Sequence, residues 1–500
     1  MAALVFVAIL AGLVSVFYYW MKKKFSFWSE RGVRGPKPYP IVGNFGSVIL
    51  GRESGQMYLK RIYLEYEDEK LVGLYRGFQP VLLVRDLELL KQVLVKDFHV
   101  FQDRGMSRSR SKLSKNLFAT GGETWKILRK TLTPVFTSRK LKDMIPLVLK
   151  CVNNFTKYVD SLVENNVEHE IKSLTSKYTL DVIGSCAFGL ELNTATDAKN
   201  DFSIMAEKIF TPNTANRLLN ILDMIIPGIR SLIVTNTEIQ DFFLKLTQTV
   251  IQERDGKPST RKDFMDLMLQ LREEGKATRK IEDGVSEIEF DDYMIAAQSL
   301  VFYSAGYETS AATMSFMIHE MALNPDIQER IHEEVCQVYK KHNGELTYES
   351  VKDMPYLGMV FDETLRKYAV AGLLFRVSSE PYTFAGTNVS IPKGTPILVS
   401  GNGITMDPKY YPNPEVFNPE HFSPENLKNL PQCAYLPFGE GPRNCIGLRF
   451  AKVESLLGMA AFLKHFKVEP SSKTKSKIDF HPKRIVMVAQ DGIWVKISKR

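Results

Sequence analysis

The stretch Phe438-Gly-Glu-Gly-Pro-Arg443-Asn-Cys445-Ile-Gly447 decides the fold of this sequence. Its glycines allow the backbone to approach the cysteine closely and to point N–H groups at the sulfur. An anionic sulfur needs such donors, or a positive charge nearby, to remain deprotonated. Phe438 can shield the sulfur from water, and Arg443 can bind a carboxylate. The pattern therefore predicts that Cys445 is a thiolate ligand of a metal ion, and the simpler alternative is a glycine turn with a buried cysteine.

The other cysteines follow a different pattern from this loop. The chain has five cysteines at wide spacing and no Cys-x-x-Cys motif, which argues against a disulfide framework or a zinc cluster and favours a reducing compartment. A cysteine outside such motifs usually behaves as a small buried apolar residue. We expect that role for Cys151, Cys186 and Cys336, and the sequence leaves the role of Cys433 open.

The composition is that of a globular protein with a basic surface. The 500 residues are 44% hydrophobic and carry a formal net charge of +8, which is enough apolar material for a large buried core. The sequence has no long Lys/Arg tract with interleaved aromatic residues, which argues against binding of nucleic acid. An anionic membrane surface or an acidic protein partner fits this charge.

Residues 2–21 contain no charged side chain. A helix of this length spans ~30 Å, the thickness of the hydrocarbon core of a bilayer. An aromatic group and three lysines follow at its end, which places the rest of the chain on the cytosolic side. A cleaved signal peptide needs a preceding basic segment and small residues at the cleavage site, and this sequence has neither. We therefore predict a transmembrane signal-anchor over residues 2–21, then a basic stretch and a proline-rich hinge over residues 22–44.

The remaining residues, 45–500, are predicted to form one large domain that is mainly α with a small β portion. Apolar residues recur at helical spacing over residues 141–163, 291–323 and 327–341. Short β-like runs lie near the two ends of the chain, and the last two are expected to pair as a C-terminal hairpin. These runs cover residues 71–75, 81–84, 485–488 and 493–497. Pro, Gly and Asn gather between residues 380 and 447, which predicts a long irregular stretch before the last major helix.

The complete pattern F-x-x-G-x-R-x-C-x-G resembles the signature of the cytochrome P450 superfamily of haem-thiolate monooxygenases. The resemblance extends over nearly the whole chain and implies a single large P450-type haem domain behind the transmembrane helix. It implies haem b with an axial thiolate from Cys445. It also implies a reaction in which one oxygen atom of O₂ is inserted into a lipophilic small molecule and the other is reduced to water.

Several further motifs match those of the family and imply roles for their residues. The haem propionates are implied to bind Trp125 and Arg129, which lie four residues apart on one helix face, and also Arg376 and Arg443. Phe438 is implied to cover the sulfur. The segment Ala305-Gly-Tyr-Glu308-Thr309-Ser matches the family's oxygen-binding segment. Thr309 is implied to hydrogen-bond dioxygen and Glu308 to relay protons, whereas small Ala305 and Gly306 leave room beside the iron. The alternative for Thr309 is a hydroxyl that bonds back to a helix carbonyl.

Glu363-Thr-Leu-Arg366 matches the E-x-x-R motif, whose two charges share a helix face and pair. Where the family usually supplies an arginine as the third arm of this structural pair, the present chain has His421, which is shorter and only partly charged. Ala369 and Val370 stand where relatives usually have a proline after Tyr368, which predicts a looser substrate-facing loop. A further difference is Thr405, where relatives often carry a histidine.

Within the family the sequence most resembles insect microsomal enzymes that metabolise xenobiotics. The phrases that carry this resemblance lie at residues 101–105, 132–138, 181–189 and 407–414. The implied substrate is a xenobiotic, plant toxin, insecticide or hormone-like compound, and the implied location is the endoplasmic reticulum (microsomal) membrane. The substrate pocket is expected to be apolar, although each of its candidates can equally be a core residue. The candidates are Phe118, Val301, Phe302, Leu373, Leu374 and Met487.

The sequence has no dinucleotide fingerprint and no flavin domain, so the electrons must come from another protein. By resemblance this partner is NADPH–cytochrome P450 reductase, with cytochrome b5 as a further candidate. The predicted docking surface is basic, and the alternative is an ordinary solvated face. It comprises Lys126, Arg129, Lys130, Arg139, Lys140, Lys142, Arg449 and Lys452. Two other functions remain open from the sequence: a haem-thiolate isomerase or dehydratase that does not use O₂, and a non-catalytic haem carrier or sensor.

Overall fold

Helices make up most of the chain, which confirms the prediction of a mainly α fold with a small β portion. The computed structural model describes residues 1–106, 111–163, 167–194, 201–211, 218–219, 222–223, 228–229, 237–281 and 284–500. In chain order the helices up to residue 274 are α1 Ala2–Phe25, α2 Gly46–Ile49, α3 Gly55–Glu65, α4 Leu87–Lys91, α5 Gly122–Leu132, α6 Ser138–Val163, α7 Ile171–Ile183, α8 Asp201–Phe210, α9 Thr237–Glu253 and α10 Phe264–Glu274. The later helices are α11 Asp292–Leu323, α12 Pro325–Lys341, α13 Pro355–Lys367, α14 Gly401–Thr405, α15 Pro424–Asn429 and α16 Leu448–His465.

The strands form small sheets at the edges of this helical body. They are β1 Leu71–Arg76, β2 Gln79–Val84, β3 Glu168–Glu170, β4 Lys276–Ile281, β5 Gly284–Glu289, β6 Leu373–Val377, β7 Tyr382–Thr383, β8 Ser390–Ile391, β9 Pro396–Ser400, β10 Phe466–Pro470 and β11 Trp494–Lys499. The largest sheet has the strand order β1-β2-β9-β6, with β2 and β9 parallel and the other neighbours antiparallel. A three-stranded sheet has the order β10-β11-β3, and two separate hairpins are formed by β4-β5 and β7-β8.

The predicted C-terminal hairpin is wrong in its pairing. β11 pairs with β10 and β3, whereas residues 485–488 form no strand. The backbone of this segment has other partners, because Met487 N–H donates to the carbonyl of Val370 at 3.0 Å and the Ile485 carbonyl accepts from the Gln56 side chain at 2.9 Å. The same contacts hold the loop at Ala369 and Val370, both of which are buried. The lack of a proline there therefore does not leave this loop without contacts.

α1 extends beyond the predicted segment, through the three lysines to Phe25, because lysine is a good helix former. In the described part of the chain, residues 2–31 contain the one helical span that is long and apolar enough to cross a membrane. Its most apolar 18-residue window has a mean hydropathy of 2.3 and no buried residues. The end of α1 contacts the turn between β1 and β2, where Phe78 packs against Phe17, Trp20 and Phe25.

The proline-rich segment lies directly on β1. Asn44 Oδ1 accepts from the Tyr75 N–H at 2.7 Å, and the Trp28 indole N–H donates to the Leu74 carbonyl at 2.9 Å. Gly43 has a φ of 63°, and a Cβ at this position would lie 2.2 Å from the Tyr75 carbonyl oxygen. Only glycine fits so close to the strand, and the connection between α1 and the domain is therefore held at a fixed position.

The long helix α11 runs through the core and organises the functional site. Asp291 caps its first turn by accepting from the Met294 N–H at 2.7 Å, and Pro325 begins the next helix just after its end. Two hydroxyls of α7 donate to its backbone: Thr175 to the Ala311 carbonyl at 2.9 Å and Thr179 to the Tyr307 carbonyl at 3.2 Å. These bonds fix the segment of α11 that contains Glu308 and Thr309.

Candidate active site

The loop before α16 surrounds Cys445 with main-chain groups. The Cys445 N–H donates to the Phe438 carbonyl at 2.7 Å, and the N–H groups of Gly447 and Leu448 bond to the sulfur. These donors begin α16, so the positive end of that helix faces Cys445. Gly441 allows close packing against another part of the chain. Its φ is 74°, and a Cβ at this position would lie 1.9 Å from the Leu94 carbonyl oxygen.

The Cys445 sulfur lies deep in the protein but is accessible. Its side chain is exposed, yet burial raises the pKa of the thiol, and the N–H groups of Gly447 and Leu448 and the charges of Arg129 and Arg104 only partly oppose that rise. Both properties hold for a sulfur that lies below the protein surface but faces open space. A thiolate at this position therefore needs one more positive partner, which a bound metal ion supplies.

Four arginines lie close to this loop and come from distant parts of the chain. Arg104 donates to the carbonyls of Phe118 at 2.9 Å and of Arg443 at 3.4 Å. Arg129 on α5 donates to the carbonyl and to the side-chain oxygen of Asn444, both at 2.7 Å. Arg443 stacks on the ring of Trp125 with 4.5 Å between its guanidinium carbon and the ring centroid. Arg376 on β6 is almost fully buried.

In the described part of the chain, little negative charge balances this arginine cluster (Arg104, Arg129, Arg376 and Arg443). Burial lowers the pKa of Arg376 to about 9, and the neighbouring charge of Arg104 contributes. Burial, Arg104 and Arg376 likewise lower the pKa of Arg443 to about 9. Its nearest carboxylate in the described part of the chain is Asp103, at 4.0 Å. Uncompensated buried cations are costly, so the cluster is built for an anionic group.

Two buried donors of this cluster point to the same conclusion. The Nε atoms of Arg376 and Arg443 have no hydrogen-bond partner among the described residues. Such groups are rare in native proteins because each costs roughly 1–3 kcal/mol. A planar group with two carboxylates and a central iron ion fits this arrangement, since guanidinium groups bind carboxylates through paired N–H donors.

α11 presents Ala305 and Thr309 on one face, and neither side chain is buried. The Thr309 hydroxyl donates to the Ala305 carbonyl at 2.6 Å. This is the back-bonded hydroxyl considered as the alternative from the sequence, and its oxygen lone pairs remain available as acceptors. Gly306 does not leave room beside this face, because a Cβ there would lie 2.2 Å from the Ile183 side chain. Its small size instead allows α7 to pack closely on α11.

Glu308 lies on another face of α11 and is almost fully buried. Its carboxylate is 3.1 Å from the Lys172 ammonium on α7 and 3.7 Å from the Arg484 guanidinium. Arg484 in turn makes a bidentate contact with Glu207 on α8, at 2.7 and 2.8 Å. The structure therefore connects Glu308 to a chain of charged groups that ends at an exposed carboxylate.

The structural pair Glu363 and Arg366 on α13 is completely buried and bidentate, with N···O distances of 2.7 and 2.8 Å. Arg366 also donates to the carbonyls of Thr405 at 3.0 Å and of Val416 at 3.3 Å. His421 Nδ1 lies 3.1 Å from the same Glu363 carboxylate. The histidine thus reaches the pair despite its short side chain, and the Thr405 backbone takes part although its side chain differs from that of relatives.

The pocket candidates are not all brought to one place. Leu374 lies near the cysteine loop, since a Cβ on Gly439 would be 3.9 Å from it, whereas Leu373 points toward Gly55 on the other face of β6. Met487 is buried, and its sulfur accepts from the Asn402 amide at 3.2 Å. The others remain at least partly accessible: Phe118 is exposed, Val301 is partly exposed, and Phe302 is partly exposed but packs against Phe136 and Phe264. Phe438 is partly buried and its ring stacks on Phe361.

Three residues at the site were missed from the sequence. Arg104 belongs to the quoted segment at residues 101–105, but no spacing rule connects it to Cys445. Lys172 lies 136 residues before Glu308, and Arg484 lies far after it. Nothing in the local sequence of either residue distinguishes it from a solvated surface charge. Such long-range ion pairs become visible only in the folded chain.

Comparison with known proteins identifies one family over nearly the whole chain. The family model for Cytochrome P450 matches residues 33–496. The chain is 42% identical over 499 residues to Cytochrome P450 6B6 of Helicoverpa armigera, covering 99% of this chain and 98% of the relative. It is 42% identical to Cytochrome P450 6B1 of Papilio polyxenes, with 99% of each chain covered. Against Cytochrome P450 6a2 of Drosophila melanogaster the identity is 35%, again over 99% of both chains.

A family match over nearly the whole length, together with relatives of this similarity, establishes both the class of enzyme and its kind of cofactor. Members of the family are monooxygenases that use O₂ and a redox partner and carry haem with a cysteine thiolate ligand. The buried cations beside an accessible cysteine in this structure fit that cofactor. The chain therefore belongs to the cytochrome P450 family and is a haem-containing monooxygenase.

Proposed function

We propose that this enzyme inserts one oxygen atom of O₂ into lipophilic small molecules of the xenobiotic class, with Cys445 as the thiolate ligand of haem b. The observation that carries the proposal is the arginine cluster beside the accessible Cys445 sulfur, with unpartnered Nε donors on Arg376 and Arg443. Plant toxins, insecticides and hormone-like compounds are the candidate substrates, because the relatives named above are insect proteins of the same family.

A bound haem supplies the one-electron and O₂ chemistry, and the protein binds and orients it. Arg129, Arg376 and Arg443 would hold the two carboxylates, and Trp125 supports the guanidinium of Arg443 from behind. Arg104 adds a fourth positive charge at the same place. Ala305 has only a methyl group and is exposed, so it would leave room for dioxygen and substrate beside a bound haem.

A bound haem would supply chemistry that consumes protons, and we assign Thr309 and Glu308 on α11 to the handling of those protons. Thr309 holds a hydroxyl at the accessible face, and the buried Glu308 connects through Arg484 to Glu207 near the surface. Arg484 keeps its positive charge and has no lone pair to accept a proton, so it would position the carboxylates of Glu308 and Glu207 rather than carry a proton between them. The side chains of Lys172 and Arg484 stabilise the Glu308 carboxylate between transfers.

Replacing Arg443 by leucine is expected to lower haem retention by about tenfold or more, because it removes a buried cation that the carboxylates need and leaves Trp125 unsupported. The measurement is the fraction of haem that stays with the protein during transfer to an excess of apomyoglobin. Arg449→Leu is the matched control, since Arg449 is exposed on α16 and donates only a weak 3.4 Å bond to Ser138. Equal haem loss from both variants would contradict the role of Arg443.

Replacing Thr309 by valine keeps the shape of the side chain but removes its hydroxyl. We expect NADPH consumption to continue while product per NADPH falls by about tenfold and hydrogen peroxide rises, because protons no longer reach the reduced oxygen in the correct place. Thr313→Val is the control, since that hydroxyl donates to the Thr309 carbonyl at 2.8 Å one turn further along α11. Unchanged coupling in Thr309→Val would contradict the proposed role.

We propose NADPH–cytochrome P450 reductase as the electron donor, with cytochrome b5 as a second donor. Support comes from the basic face formed by α5 and the start of α6, where Lys130, Arg139 and Lys140 are exposed. Lys126 is partly neutralised by Glu123, at 2.6 Å, and that carboxylate also contacts Arg279. Of the two lysines on α5, Lys130 therefore has the positive charge that is less neutralised by neighbouring carboxylates.

Charge reversal at Lys126 and Lys130 is expected to slow the first electron transfer from the reductase by about tenfold at low salt, because long-range attraction of opposite charges speeds association. The difference should shrink above physiological ionic strength, where exposed charges are screened. Stopped-flow reduction under CO measures the rate. Lys393→Glu, an exposed lysine in the loop between β8 and β9, should leave it unchanged; equal rates in all three proteins would exclude this docking face.

We propose that α1 anchors the enzyme in the endoplasmic reticulum membrane with the catalytic domain on the cytosolic side. The three lysines at the end of α1 and its length support this orientation. The whole proposal is tested by reconstituting the full chain with reductase in lipid and supplying NADPH with a panel of plant toxins, insecticides and hormones. NADPH-dependent oxygenated products are expected, and no product from any member of the panel would overturn it.

A further inference from the structure

Cys336 is the one cysteine that neither the haem loop nor the core accounts for. The sequence predicts a small buried apolar residue, and this prediction is wrong, because Cys336 is only partly buried. It lies on α12, whereas Cys151, Cys186 and Cys433 are buried elsewhere. Its surroundings are polar and come from two helices.

The first neighbour of the thiol is an imidazole with a fixed tautomer. His332, one turn earlier on α12, has Nδ1 2.9 Å from the Leu463 carbonyl oxygen. A carbonyl only accepts hydrogen bonds, so Nδ1 carries a proton, and in the neutral ring the lone pair is then on Nε2. Nε2 lies 3.5 Å from the Cys336 sulfur. A nucleophile, a base within reach and a group that orients the base are thus present together.

The second neighbour is a positive charge from the end of α16. Lys464 Nζ lies 3.7 Å from the Cys336 sulfur and donates to it. A lysine ammonium beside a thiol favours the thiolate, which is the nucleophilic form of cysteine. The base comes from α12 and the cation from α16, so the packing of these two helices assembles the group.

We propose that Cys336, His332 and Lys464 form a covalent modification site for soft electrophiles of the α,β-unsaturated carbonyl class. This site is separate from the haem centre and does not depend on the proposed monooxygenase reaction. Plant-derived enones and the enals formed by lipid oxidation belong to this chemical class.

The addition balances without any oxidant or reductant. The thiol transfers its proton to His332 Nε2, and the Lys464 ammonium stabilises the thiolate that results. The sulfur then forms a bond to the β-carbon, and the electron pair of the C=C bond moves to the carbonyl as an enolate. The α-carbon of the enolate takes the proton back from His332 Nε2. The net change is addition of S–H across C=C, and the imidazole ends as it began.

The other cysteines serve as internal controls for selectivity. Burial raises the pKa of Cys151 and of Cys433 to about 12, and that of Cys186 well above its usual value. These thiols remain protonated and inaccessible at neutral pH. Cys445 is proposed to be occupied by the haem iron in the holoenzyme. Cys336 should therefore react first although five cysteines are present.

The test is alkylation of the full-length holoenzyme with one equivalent of N-ethylmaleimide at neutral pH, followed by peptide mass spectrometry. We expect Cys336 to be alkylated before every other cysteine and the ferrous–CO Soret band to stay in place. Labelling of another cysteine first would overturn the proposal. The Soret band reports on Cys445 in the same sample, so failure of this inference is distinguishable from failure of the haem assignment.

Variants then test the activating pair. His332→Phe keeps the ring but removes its nitrogens, and Lys464→Met keeps the length but removes the charge. Each is expected to slow alkylation of Cys336 by about tenfold. Lys467→Met is the matched control, because Lys467 lies three residues later and pairs with Glu469 at 2.9 Å. Rates in His332→Phe and Lys464→Met equal to that of the control would show an ordinary surface thiol and overturn the proposal.

Discussion

Replacing Glu363 by alanine is expected to lower the free energy of unfolding by about 3–5 kcal/mol, which is among the largest effects of a single substitution. The substitution leaves the fully buried guanidinium of Arg366 without its only carboxylate partner in the described structure. It also removes the acceptor of the Asn418 N–H, at 2.8 Å, and of His421. Because a domain is stabilised by only about 5–15 kcal/mol, little folded holoenzyme should accumulate.

The measurement is urea-induced unfolding of the purified holoenzyme, followed by the helical circular dichroism signal. Glu349→Ala is the control, because Glu349 forms an ion pair with Lys142 in which both side chains are half exposed. Exposed pairs contribute about 0–1 kcal/mol, so this variant should unfold close to the wild type. A loss from Glu363→Ala no greater than from Glu349→Ala would show that the buried pair does not hold this part of the fold.

His421 is a graded test of the same network. His421→Leu should destabilise the protein less than Glu363→Ala, because Arg366 and the Asn418 N–H still bind the carboxylate. The sequence suggests that a histidine here weakens the network relative to the usual arginine. The structure shows why the cost is limited: Nδ1 already reaches the carboxylate at 3.1 Å, and the ring packs edge-on against Tyr411.

The elements that the sequence predicted well are those whose cause is local. α6, α11 and α12 follow from apolar residues at helical spacing, and α11 begins one residue after the predicted start because Asp291 is its cap. The first two strands were also predicted, since turn residues separate two short apolar runs. That α1 is long and apolar enough to cross a membrane follows from composition alone.

The elements that the sequence predicted poorly depend on distant partners. β11 pairs with β3, which lies more than 300 residues earlier in the chain. Nothing in the sequence near residue 494 indicates that β3 is its partner. The hairpin of β4 and β5 was not predicted, because its alternating pattern is mostly polar; Arg279 joins it to Glu123 on α5. Periodicity cannot identify such pairings, since they depend on which surfaces meet after folding.

The residues of the candidate site also divide into those that belong to a local motif and those that depend on distant partners. Trp125, Arg129, Arg376 and Arg443 were found because each belongs to a spaced motif, and the structure brings the three arginines and the Trp125 ring close to the Cys445 loop. Arg104 completes the cluster without any such motif. The direction of Glu308, toward Lys172 and Arg484, and the tight contact at Gly306 both depend on α7, which the motif itself does not include.

Replacing Cys445 by serine is the second change with a very large expected effect. A serine hydroxyl at this position does not supply the strongly donating thiolate that favours O–O cleavage in haem enzymes of this type. We expect monooxygenase turnover to fall to background while helical content is kept. The substitution keeps the main-chain bond to the Phe438 carbonyl, and a hydroxyl oxygen can still accept from the N–H groups of Gly447 and Leu448. Cys433→Ser, in a buried cysteine outside the loop, should retain the thiolate spectrum and turnover.

The most direct test of the central assignment is the ferrous–CO difference spectrum of the full-length protein and its Cys445→Ser variant, recorded at equal haem content. If Cys445 is the axial ligand, the wild-type protein and Cys433→Ser show the red-shifted Soret band of thiolate-ligated haem, and Cys445→Ser does not. A Cys445→Ser protein that keeps the red-shifted band would contradict the assignment of Cys445 as the ligand.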